Sequence, residues 1–521
     1  LDHGPGATVE LEADVVVVGS GAGGGVVAAR LAEAGLSVLV LEAGPFFAEA
    51  ELPRGEGAAF RDLYLDRGTT STVDLGITIL AGTGVGGGTT INWTTALIPP
   101  DWLRSEWAAD HGLTGFDGPE ADADLARLAR ELDLQPPTAI PPKDRVILDG
   151  AAVLGWEAAP NVRNAGPCTD CGACGFGCPY GNKRAGPRAH LATAGAAGAR
   201  LIQRAVTDRV DWRGGRVVGV SGRLIPDEPS GPGRKFVVRA SQVVMAAGGL
   251  RTPLLLQASG LDHPQLGRNL RLHPVVVVGA LMSKPVIAWQ GPSQAARSLE
   301  WWQPGPAAAD GIGPAHGGFV IESAPPHPGL LASALPWESG AREMSLTDEF
   351  SRIAPLIALV RDRGAGRVRW SRGGHPRIEY RVSGTDGATA RRALVEMARL
   401  GRAAGATRLL AVATPPLWWS EADGDQGFDR FLRRAAHLST APNRVSVFSA
   451  HQMGSARSGA DPRSHPCDPH GRVRADTTGT LVAGLFVGDA SLFPSAPGVN
   501  PMLSVMALAE RTARAVLADR T

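Results

Sequence analysis

The sequence predicts an α/β protein in which a Rossmann-like dinucleotide-binding domain is joined to a second domain built on a sheet. A βαβ unit opens the chain, with a valine-rich strand at Asp14–Val18, a glycine-rich turn, a helix at Val26–Ala34 and an apolar strand at Ser37–Leu41. The stretch 271–444 instead holds seven of the twelve tryptophans, many prolines and short alternating apolar runs. These two patterns predict different kinds of domain.

Further strands and helices follow in order along the chain. After Leu201, short alternating runs at Val210–Trp212, Arg216–Val220 and Phe236–Val238 predict an antiparallel meander, which leads to an apolar strand at Gln242–Ala246. The region 445–521 returns to a strand, a Gly-Asp turn and a long helix. The main helices are predicted at Ala121–Leu132, Ala189–Ala194, Pro253–Ala258 and Met502–Ala518.

Composition and charge narrow the class of protein. The 52 Lys and Arg residues balance 51 Asp and Glu residues and are spread along the chain, so we expect no nucleic acid partner. The longest apolar runs, Val275–Met282 and Ile353–Val360, are shorter than the ~20 residues of a membrane-spanning helix, so we expect no transmembrane segment. The residues from Leu1 to Ala7 show no signal-peptide pattern, and the cysteines are clustered rather than scattered. We therefore expect a cytoplasmic protein.

The turn after the first strand carries a dinucleotide-binding pattern. Residues 19–24 read GSGAGG and fit G-x-G-x-x-G. In this pattern Gly19 allows the tight turn, Gly21 lets a pyrophosphate approach the backbone, and Gly24 lets the helix and strand pack closely. Glu42 ends the next strand, where a carboxylate accepts hydrogen bonds from a ribose. The pattern predicts a bound dinucleotide and does not by itself separate FAD from NAD.

Several separate motifs occur in a fixed order along nearly the whole chain. They are the fingerprint that ends at Val40–Gly44, the glycine-rich Gly82–Asn92, Ala246–Gly260, Leu266–Pro274, His451–Ser455 and Gly488–Pro501. Together these motifs resemble those of the glucose–methanol–choline (GMC) oxidoreductases. The cysteine-rich segment Cys168–Lys183 makes the chain most similar to the branch that contains long-chain fatty alcohol oxidases and some bacterial sterol oxidases.

The resemblance implies FAD as the cofactor and a division of the chain into two discontinuous domains. The FAD-binding domain is expected to consist of 1–98, 188–270 and 445–521. The substrate or cap domain is expected to consist of 99–187 and 271–444, with its sheet covering the flavin and the cysteine-rich loop at 168–183. Besides the fingerprint, the resemblance assigns flavin or FAD contacts to Gly86, Gly87, Asn92, Val206, Asp489, Ala490 and Pro501.

The same resemblance implies an alcohol oxidoreductase with flavin N5 as the hydride acceptor. His451, which follows a predicted strand at Val445–Ser449, matches the general base of the family. Asn500 matches a polar residue that stabilises the alkoxide charge, and it is also suited to cap the final helix ahead of Pro501. The branch and the tryptophan-rich region favour an apolar primary or secondary alcohol as substrate, although tryptophans are also ordinary packing residues.

Four cysteines lie close together with the spacing C-x2-C-x2-C-x3-C-P, namely Cys168, Cys171, Cys174 and Cys178. Bacterial ferredoxin ligands have this spacing, so one interpretation is an iron–sulfur cluster that relays electrons to an external acceptor. The fourth cysteine of such a run serves another cluster in ferredoxins, and Cys467 is the only remaining thiol. The other interpretations are a compact loop of disulfides or free thiols, and a zinc site.

Three functions remain open at this point. The first is an alcohol oxidoreductase that passes electrons to O2 or to a redox partner protein. The second is a flavin-containing lyase, in which FAD is structural and His451 moves protons without redox change. The third is an electron-transfer subunit whose partner docks near the cysteine loop; the sequence has no C-x-x-C-H motif, so any heme would lie on that partner.

Overall fold

The structure is a computed structural model that describes residues 8–226, 233–372 and 375–519. The first seven residues, where no signal-peptide pattern is seen, lie outside it. The strands of the described residues, in chain order, are β1 Val9–Glu12, β2 Val15–Val18, β3 Val38–Leu41, β4 Thr78–Ile79, β5 Ala158–Pro160, β6 Arg200–Ile202, β7 Ala205–Arg213, β8 Arg216–Leu224, β9 Arg234–Arg239, β10 Gln242–Met245, β11 Arg268–Leu270, β12 Val275–Leu281, β13 Ala296–Ser298, β14 Phe319–Ser323, β15 Ile353–Val360, β16 Gly366–Trp370, β17 Pro376–Glu379, β18 Arg408–Ala411, β19 Leu417–Ser420, β20 Phe448–Ser449, β21 Arg472–Arg474 and β22 Leu481–Val487.

The α-helices lie on the faces of the sheets and in the connections between strands. They are α1 Ala22–Glu33, α2 Glu56–Leu63, α3 Gly88–Ile91, α4 Asp101–His111, α5 Pro119–Glu131, α6 Pro142–Leu154, α7 His190–Ala196, α8 Gly248–Ala258, α9 Pro328–Ala334, α10 Gly340–Asp348, α11 Gly384–Ala403, α12 Gly424–Ala435 and α13 Met502–Ala518. Within the described residues no helix combines the length and the apolar character needed to cross a membrane.

The first sheet has a parallel centre that confirms the predicted Rossmann-like fold. Its central order is β6-β3-β2-β10-β22, and every neighbouring pair in it is parallel. β2 consists of four valines that are all buried, as required of a strand covered on both faces. The predicted meander is also present, since β7, β8 and β9 pair antiparallel beside this centre.

The second sheet is antiparallel and has the order β19-β18-β12-β15-β14-β13-β5. Its centre is formed by the two longest apolar runs of the sequence, which are β12 and β15. They pair antiparallel from Val275↔Leu359 to Leu281↔Ile353. The two longest apolar runs are thus buried as paired strands inside the second domain. The predicted sheet-based second domain is confirmed.

The two faces of the second sheet differ in what covers them. Side chains of directly paired residues lie on the same face, so Glu322 of β14 shares a face with Ile357 of β15 and Val277 of β12. The opposite face, which carries Ile321 and Ala358, belongs to the core that includes residues of α6 and α11. Glu322 is therefore directed away from the main core of this domain.

The packing crosses the expected domain boundaries in two places. Leu103 and Trp107 of α4, with Leu125 and Leu128 of α5, belong to the core of the first sheet, although they lie in the segment predicted for the substrate domain. Conversely, β4 and β20, which lie in predicted FAD-domain segments, pair with each other, and β20 also pairs with β12 of the second sheet. The boundaries 98/99, 187/188, 270/271 and 444/445 themselves stay a prediction.

Two local predictions differ from the structure. The strand expected at Val445–Ser449 is reduced to the two residues of β20, because the pairing with β12 is limited to Phe448 and Val275. The final helix begins at Met502 with Pro501 at its N-cap position, and no side chain caps it. Asn500 is therefore not the cap of this helix, since its amide is used elsewhere.

Candidate active site

The glycine-rich turn between β2 and α1 is shaped by close backbone approaches. Gly19 has φ +105°, and a Cβ there would lie 2.3 Å from the carbonyl oxygen of Ala246. A Cβ on Gly24 would lie 2.1 Å from the carbonyl oxygen of Gly19. A Cβ on Gly21, by contrast, would have no atom within 4 Å. Gly19 and Gly24 thus serve the packing of the turn, while Gly21 borders open space at the N-terminus of α1.

Ser20 joins the carboxylate at the end of β3 to a second glycine-rich turn. Its hydroxyl donates a hydrogen bond to Glu42 Oε2 at 2.6 Å and accepts one from the backbone N–H of Gly86 at 3.0 Å. Glu42 also accepts from the backbone N–H of Ser20 at 3.1 Å and of Gly44 at 2.9 Å. Burial raises the pKa of Glu42, while these hydrogen bonds stabilise its charged form.

The second glycine-rich turn, residues 82–88, lies opposite the first. The two turns approach each other closely, since a Cβ on Gly87 would lie 3.2 Å from the Cα of Gly21. Asn92, just beyond this turn, donates through Nδ2 to the sulfur of Met502 at 3.2 Å. Its buried Oδ1 has no protein partner in the described chain. A buried polar atom of this kind is normally paired with a ligand or an ordered water.

Asp489 holds the third segment of this region together. Its carboxylate accepts hydrogen bonds from the backbone N–H of Gly248 at 2.7 Å, from the hydroxyl of Thr252 at 2.5 Å, and from both N–H and Oγ of Ser491. The side chain is thus fully engaged by protein donors, so a contact from Asp489 or Ala490 to a cofactor would come from the backbone. Burial raises the pKa of Asp489.

Val206 lies close to Glu42 at the end of β3. The neighbouring Ala205 donates its backbone N–H to the carbonyl oxygen of Glu42 at 2.8 Å, and Val206 itself is only partly buried. Gly21 with its open space, the carboxylate of Glu42 and the orphaned oxygen of Asn92 belong to, or directly follow, the segments that meet at the two glycine-rich turns, and the space beside these turns is called the groove below. These residues fit a dinucleotide with a flavin end near Asn92.

His451 is one end of a chain of three hydrogen-bonding groups. Its Nδ1 lies 3.1 Å from Nδ1 of His273, and the two rings are nearly perpendicular at 82°. Nε2 of His273 accepts a hydrogen bond from the backbone N–H of Gly498 at 3.1 Å. The predicted base is therefore linked to the loop that carries Asn500 through a histidine that the sequence analysis did not single out.

Both imidazoles are neutral at pH 7. Burial lowers the pKa of His451 to about 4, and burial together with the neighbouring His451 lowers the pKa of His273 well below its ordinary value. His451 is surrounded by protein and yet keeps part of its surface accessible. Its Nε2 forms no hydrogen bond with any described residue.

Asn500 is brought against a buried carboxylate on the second sheet. Its Nδ2 donates to Glu322 Oε2 at 3.2 Å, and Nε2 of Gln294 donates to the same oxygen at 3.2 Å. Glu322 is fully buried, and burial raises its pKa to about 7. Neither Oε1 of Glu322 nor Oδ1 of Asn500 has a hydrogen-bond partner among the described residues. The available signal for Glu322 in the sequence is one acid inside the apolar strand FVIES.

An apolar wall surrounds Glu322 on its face of the second sheet. The aliphatic side chains of Val275, Ile357, Leu359 and Ala324 form a cluster, against which Val277, Trp93 and Phe448 pack while keeping part of their surface accessible. Phe448 lies three residues before His451 in the sequence, and Trp93 directly follows Asn92. The site therefore combines one buried carboxylate, one amide and one imidazole with an extended apolar surface.

Comparison with known proteins decides the family. Residues 60–275 and 362–509 match the GMC oxidoreductase family, and residues 14–52 match the FAD binding domain family. The chain belongs to the GMC oxidoreductases. FAD is accordingly its cofactor, and the groove described above is where the fingerprint residues of this GMC oxidoreductase would hold it.

Two relatives and one solved structure show which proteins the GMC oxidoreductase is similar to. An uncharacterised GMC-type oxidoreductase of Mycobacterium tuberculosis is 37% identical over 95% of this chain and 74% of its own length. A long-chain-alcohol oxidase of Arabidopsis thaliana is 31% identical over 96% of this chain and 68% of its own length. The crystal structure of pyridoxine 4-oxidase from Mesorbium loti has a TM-score of 0.69 at 20% identity, covering 97% of this chain and 99% of that one. These likenesses confirm the fold and an FAD-dependent oxidoreductase activity.

The cysteine-rich loop of the GMC oxidoreductase gives no support to a metal site in the described part of the chain. Among the described residues no three or more His, Cys, Asp or Glu side chains are arranged to hold a metal ion, and all five cysteines are free thiols. Cys171 is exposed while Cys174 is buried, and Cys467 lies in the core of the first sheet. The interpretations that ligate a cluster or zinc with Cys168, Cys171, Cys174 and Cys178 are therefore not supported by the arrangement of the described side chains.

A buried amine holds the cysteine-rich loop against residues 82–92, the second glycine-rich turn and the residues that follow it, which are called the flavin-side turn below. Nζ of Lys183 donates to the carbonyl oxygens of Thr90 at 2.5 Å, Asn92 at 3.0 Å and Cys174 at 2.8 Å. Burial lowers the pKa of Lys183 to about 8. Backbone N–H groups donate to the sulfurs of Cys168 and Cys178, which further fixes the loop. The interpretation as a compact loop of free thiols agrees with this arrangement.

The tryptophans of the second domain are packing residues in several separate places. Trp301 stacks on Phe319 at 6.0 Å between ring centroids, Trp419 meets Phe428 at 5.2 Å, and Trp337 is exposed. They do not line one pocket. The apolar character of the site comes from the wall around Glu322 rather than from these residues.

Proposed function

We propose that this GMC oxidoreductase oxidises an apolar primary or secondary alcohol to an aldehyde or ketone. The observation that carries the proposal is the apolar wall, interrupted at one point by Glu322 with Asn500 beside it. An alcohol has one polar atom and otherwise needs apolar contact, so its hydroxyl fits the polar point and its chain fits the wall. The long-chain-alcohol oxidases among the relatives support the same class of substrate.

The chain's own residues bind and orient the alcohol in this proposal. The wall of Val275, Val277, Ile357 and Leu359 holds the hydrocarbon and excludes water, which strengthens the polar interactions at the hydroxyl. Bound FAD supplies the acceptor for the hydride of the carbinol carbon. The orphaned oxygen of Asn500 and the accessible edge of His451 are available to the hydroxyl.

Two groups of the site are suited to take the hydroxyl proton. His451 is the base that the family resemblance predicts, and it is neutral at pH 7. Glu322 is the base that the structure adds, and its pKa of about 7 matches the pH at which such a group works best. The two assignments predict different pH profiles, because a base with a pKa of about 4 is fully available throughout the neutral range.

O2 is the electron acceptor that we propose. The relatives from Arabidopsis thaliana are named oxidases, which supports this acceptor. This choice predicts one H2O2 for each aldehyde or ketone formed.

The test is reduction of the bound FAD by primary alcohols of increasing chain length under anaerobic conditions, followed by admission of air. We expect flavin absorbance to bleach, the rate constant divided by the dissociation constant to rise with chain length, and air to restore the absorbance with formation of H2O2. Alkanes and carboxylic acids of matched length serve as controls that bind the wall without a carbinol. Failure of every alcohol to bleach the flavin would refute the proposed substrate class.

A further inference from the structure

The side-chain amide of Gln294 lies against the buried carboxylate of Glu322. Its Nε2 donates hydrogen bonds to Oε2 of Glu322 and to the carbonyl oxygen of Ser323, both at 3.2 Å. Its Oε1 accepts a hydrogen bond from the hydroxyl of Thr95 at 2.8 Å. Gln294 and Thr95 are both buried. The nitrogen and the oxygen of this amide are thus paired within the protein.

The neighbours of this amide fix which of its ends faces Glu322. A backbone carbonyl only accepts hydrogen bonds, so the end of Gln294 beside Ser323 is the NH2 group. The same NH2 group therefore faces Oε2 of Glu322. The oxygen end is directed to Thr95, whose hydroxyl donates to it. Gln294 is in this way a donor to the carboxylate and not an acceptor from it.

The donor role of Thr95 is fixed in turn by Asn161. Nδ2 of Asn161 donates to the hydroxyl oxygen of Thr95 at 3.3 Å and to the carbonyl oxygen of Ala296 at 3.4 Å. Oδ1 of Asn161 accepts from Nη1 of Arg297 at 3.4 Å, and a guanidinium is only a donor. The hydroxyl of Thr95 thus accepts from one amide and donates its proton to the other. The direction of the hydrogen bonds runs from Arg297 to Glu322 through three side chains.

A fully buried ion pair at the start of α6 holds the backbone on both sides of Gln294. Lys143 and Asp144 pair with each other, and neither side chain has exposed surface. Nζ of Lys143 donates to the first carbonyl oxygen of residues 293–296 at 2.7 Å. Oδ1 of Asp144 accepts from the last two backbone N–H groups of the same residues, at 2.9 and 3.0 Å. The position of Gln294 is therefore set by α6 as well as by its own side chain.

The same ion pair holds the residue that follows Glu322 in β14. Nζ of Lys143 donates to Oγ of Ser323 at 3.1 Å, and Oγ of Ser323 donates to Oδ1 of Asp144. A buried ion pair contributes little net stability, because the desolvation of the charges offsets their attraction. Here the pair joins the segment of Gln294 to the strand of Glu322, so it sets the distance between the amide and the carboxylate.

Asn500 and Gln294 donate to the same oxygen of Glu322. Nδ2 of Asn500 and Nε2 of Gln294 both reach Oε2 at 3.2 Å, and Oε1 has no partner among the described residues. We propose that Gln294 is a positioning residue, held by Thr95 and by the ion pair of α6, that keeps Oε2 of Glu322 bonded and leaves Oε1 as the oxygen that meets a ligand. That this ligand is the alcohol rests on the proposed function, whereas the orientation of the carboxylate does not.

Gln294 also affects the proton equilibrium of Glu322. Burial raises the pKa of Glu322 to about 7, and the hydrogen bonds from its two amide partners, with the charge of Arg297, act in the opposite direction. Removal of the donor of Gln294 should therefore raise this pKa further. The charged groups that face Glu322 are Arg297 of β13 and Asp144 of α6, the latter paired with Lys143.

Infrared spectra of the FAD-bound protein without alcohol test this role directly. The C=O stretching band of the protonated Glu322 carboxyl is identified by its absence in Glu322→Gln and is titrated with pH. We expect a midpoint of about 7 in the unmodified protein. Gln294→Met keeps the length of the side chain without a donor and should raise the midpoint by roughly half a pH unit to one pH unit. An unchanged midpoint in Gln294→Met would overturn the proposal.

A pair of substitutions at Thr95 tests the direction of the amide. Thr95→Val removes the donor to Oε1 of Gln294, which leaves this oxygen unpaired and favours the reversed amide with its oxygen on Glu322. The midpoint should then rise by less than in Gln294→Met, because the carbonyl of Ser323 still favours the original direction. Thr95→Ser keeps the hydroxyl and should titrate as the unmodified protein does. Equal midpoints in the two Thr95 variants would overturn the role of Thr95.

Ser298→Ala on β13 is the control for the loss of a buried hydrogen bond in this domain. Oγ of Ser298 donates to the carbonyl oxygen of Glu157 at 2.7 Å, and Ser298 has no exposed surface. The variant should unfold at a lower urea concentration, as Gln294→Met does, and leave the titration of Glu322 unchanged. A shift of the same size in Ser298→Ala would show that the midpoint reports a general loosening of the domain and would overturn the proposal.

Flavin reduction by an alcohol supplies a second readout. Gln294 bonds Glu322 and not the apolar wall, so Gln294→Met should lower the rate constant of flavin reduction at saturating alcohol by about 10-fold near pH 7. The dissociation constant of the alcohol should change by less than about 3-fold. The pH profile of the rate constant should move upward with the infrared midpoint. A loss confined to the dissociation constant would overturn the positioning role.

The two proposals fail in different ways. If no alcohol bleaches the flavin, the proposed substrate class is wrong, and the infrared titration still decides the role of Gln294. If alcohols bleach the flavin and Gln294→Met leaves the midpoint unchanged, the function stands and the inference about Gln294 is wrong.

Discussion

Asn500 donates a hydrogen bond through Nδ2 to Oε2 of Glu322 at 3.2 Å, which joins the loop before α13 to the centre of the second sheet. Each residue also keeps one buried oxygen without a protein partner. A carboxyl group placed in this way is costly to the fold whenever it is charged, because its desolvation is only partly offset by two amide N–H groups and Arg297. Glu322 is therefore expected to lower the stability of the fold when it is charged, while it serves the proposed activity.

Glu322→Gln is predicted to stabilise the fold at alkaline pH while it lowers activity. The folded-state pKa of about 7 lies above the value of 4.5 for an exposed Glu, so the folded protein binds more protons than the unfolded chain between these values, and stability falls as pH rises through this range. Gln cannot ionise, so the variant escapes this loss. We expect urea unfolding at pH 9 to show a gain of roughly 1–3 kcal/mol and at pH 5 almost none.

The control for this prediction is Glu379→Gln on β17. Glu379 is partly exposed and its pKa is lowered by hydrogen bonds to Arg369 and Arg377, so its neutralisation should remove a small stabilising effect rather than a penalty. If Glu322→Gln is destabilising at pH 9 to the same degree as at pH 5, the carboxylate is not the buried, desolvated group that the structure describes.

The fold and the cofactor groove were predictable because local patterns encode them. Four consecutive valines, a glycine-rich turn and a helix with small first-turn residues determine β2 and α1 within the neighbouring sequence. The helix predicted at Pro253–Ala258 is present but begins five residues earlier, at Gly248, because Pro253 is accommodated inside α8. The exact ends of helices are harder to predict from local sequence than the presence of the helix.

The groups of the candidate active site were predictable only in part. His451 and Asn500 came from motifs, whereas Glu322 lies 178 residues from Asn500 and becomes a partner of it only when β14 takes its place in the second sheet. The partnership of His273 with His451 likewise depends on the pairing of β12 with β20. The cysteine spacing fits ferredoxin ligands, but no group of described side chains that could hold a metal ion supports that interpretation.

Two alanine substitutions in the first glycine-rich turn should separate cofactor binding from folding. Gly21→Ala meets no atom within 4 Å in the protein and should leave the stability of the apoprotein nearly unchanged while abolishing retention of FAD. Gly24→Ala meets the carbonyl oxygen of Gly19 at 2.1 Å and should destabilise the apoprotein itself by roughly 1–3 kcal/mol. Thermal unfolding of the apoproteins and FAD titration distinguish the two. Equal loss of stability in both would contradict the open space assigned to Gly21.

Ser20→Ala should weaken FAD binding through the groups that Ser20 connects. The change removes the donor to Glu42 and leaves the buried N–H of Gly86 without its acceptor. An unpaired buried group costs roughly 1–3 kcal/mol, so we expect the dissociation constant of FAD to rise by about 10-fold or more. It is measured by flavin fluorescence on reconstitution. Ser333→Ala, at an exposed hydroxyl on α9, is the matched control and should bind FAD as the unmodified protein does.

Protein purified without oxygen should carry flavin alone. We expect stoichiometric FAD with no iron or acid-labile sulfide, and we expect Cys171→Ser, at the exposed thiol, to leave the spectrum and activity unchanged. Loss of a cluster ligand would instead change both. A broad visible absorbance beneath the flavin bands, together with iron and sulfide, would contradict the structure of this loop and reopen a relay to a partner protein.

Lys183→Met should loosen the cysteine-rich loop and the flavin-side turn together. The variant keeps the length of the side chain but removes the only amine that serves the carbonyl oxygens of Thr90, Asn92 and Cys174 within the described chain. We expect the free energy of unfolding to fall by on the order of 3 kcal/mol, and FAD to dissociate faster because Asn92 is predicted to line its site. Lys284→Met, at an exposed lysine, is the control and should change neither quantity.

The pH dependence of this loss gives a second, sharper check on Lys183. Its folded-state pKa of about 8 lies below the ordinary value of 10.5, so between these values the unfolded chain binds more protons than the folded protein. Stability of the unmodified protein should therefore rise with pH from about 8 to about 10.5 relative to Lys183→Met, which has no amine to titrate. Urea unfolding at pH 7.5 and pH 10 measures the difference. A constant difference between the two proteins at both pH values would show that the amine is not held in the buried position that ties this loop to the flavin-side turn.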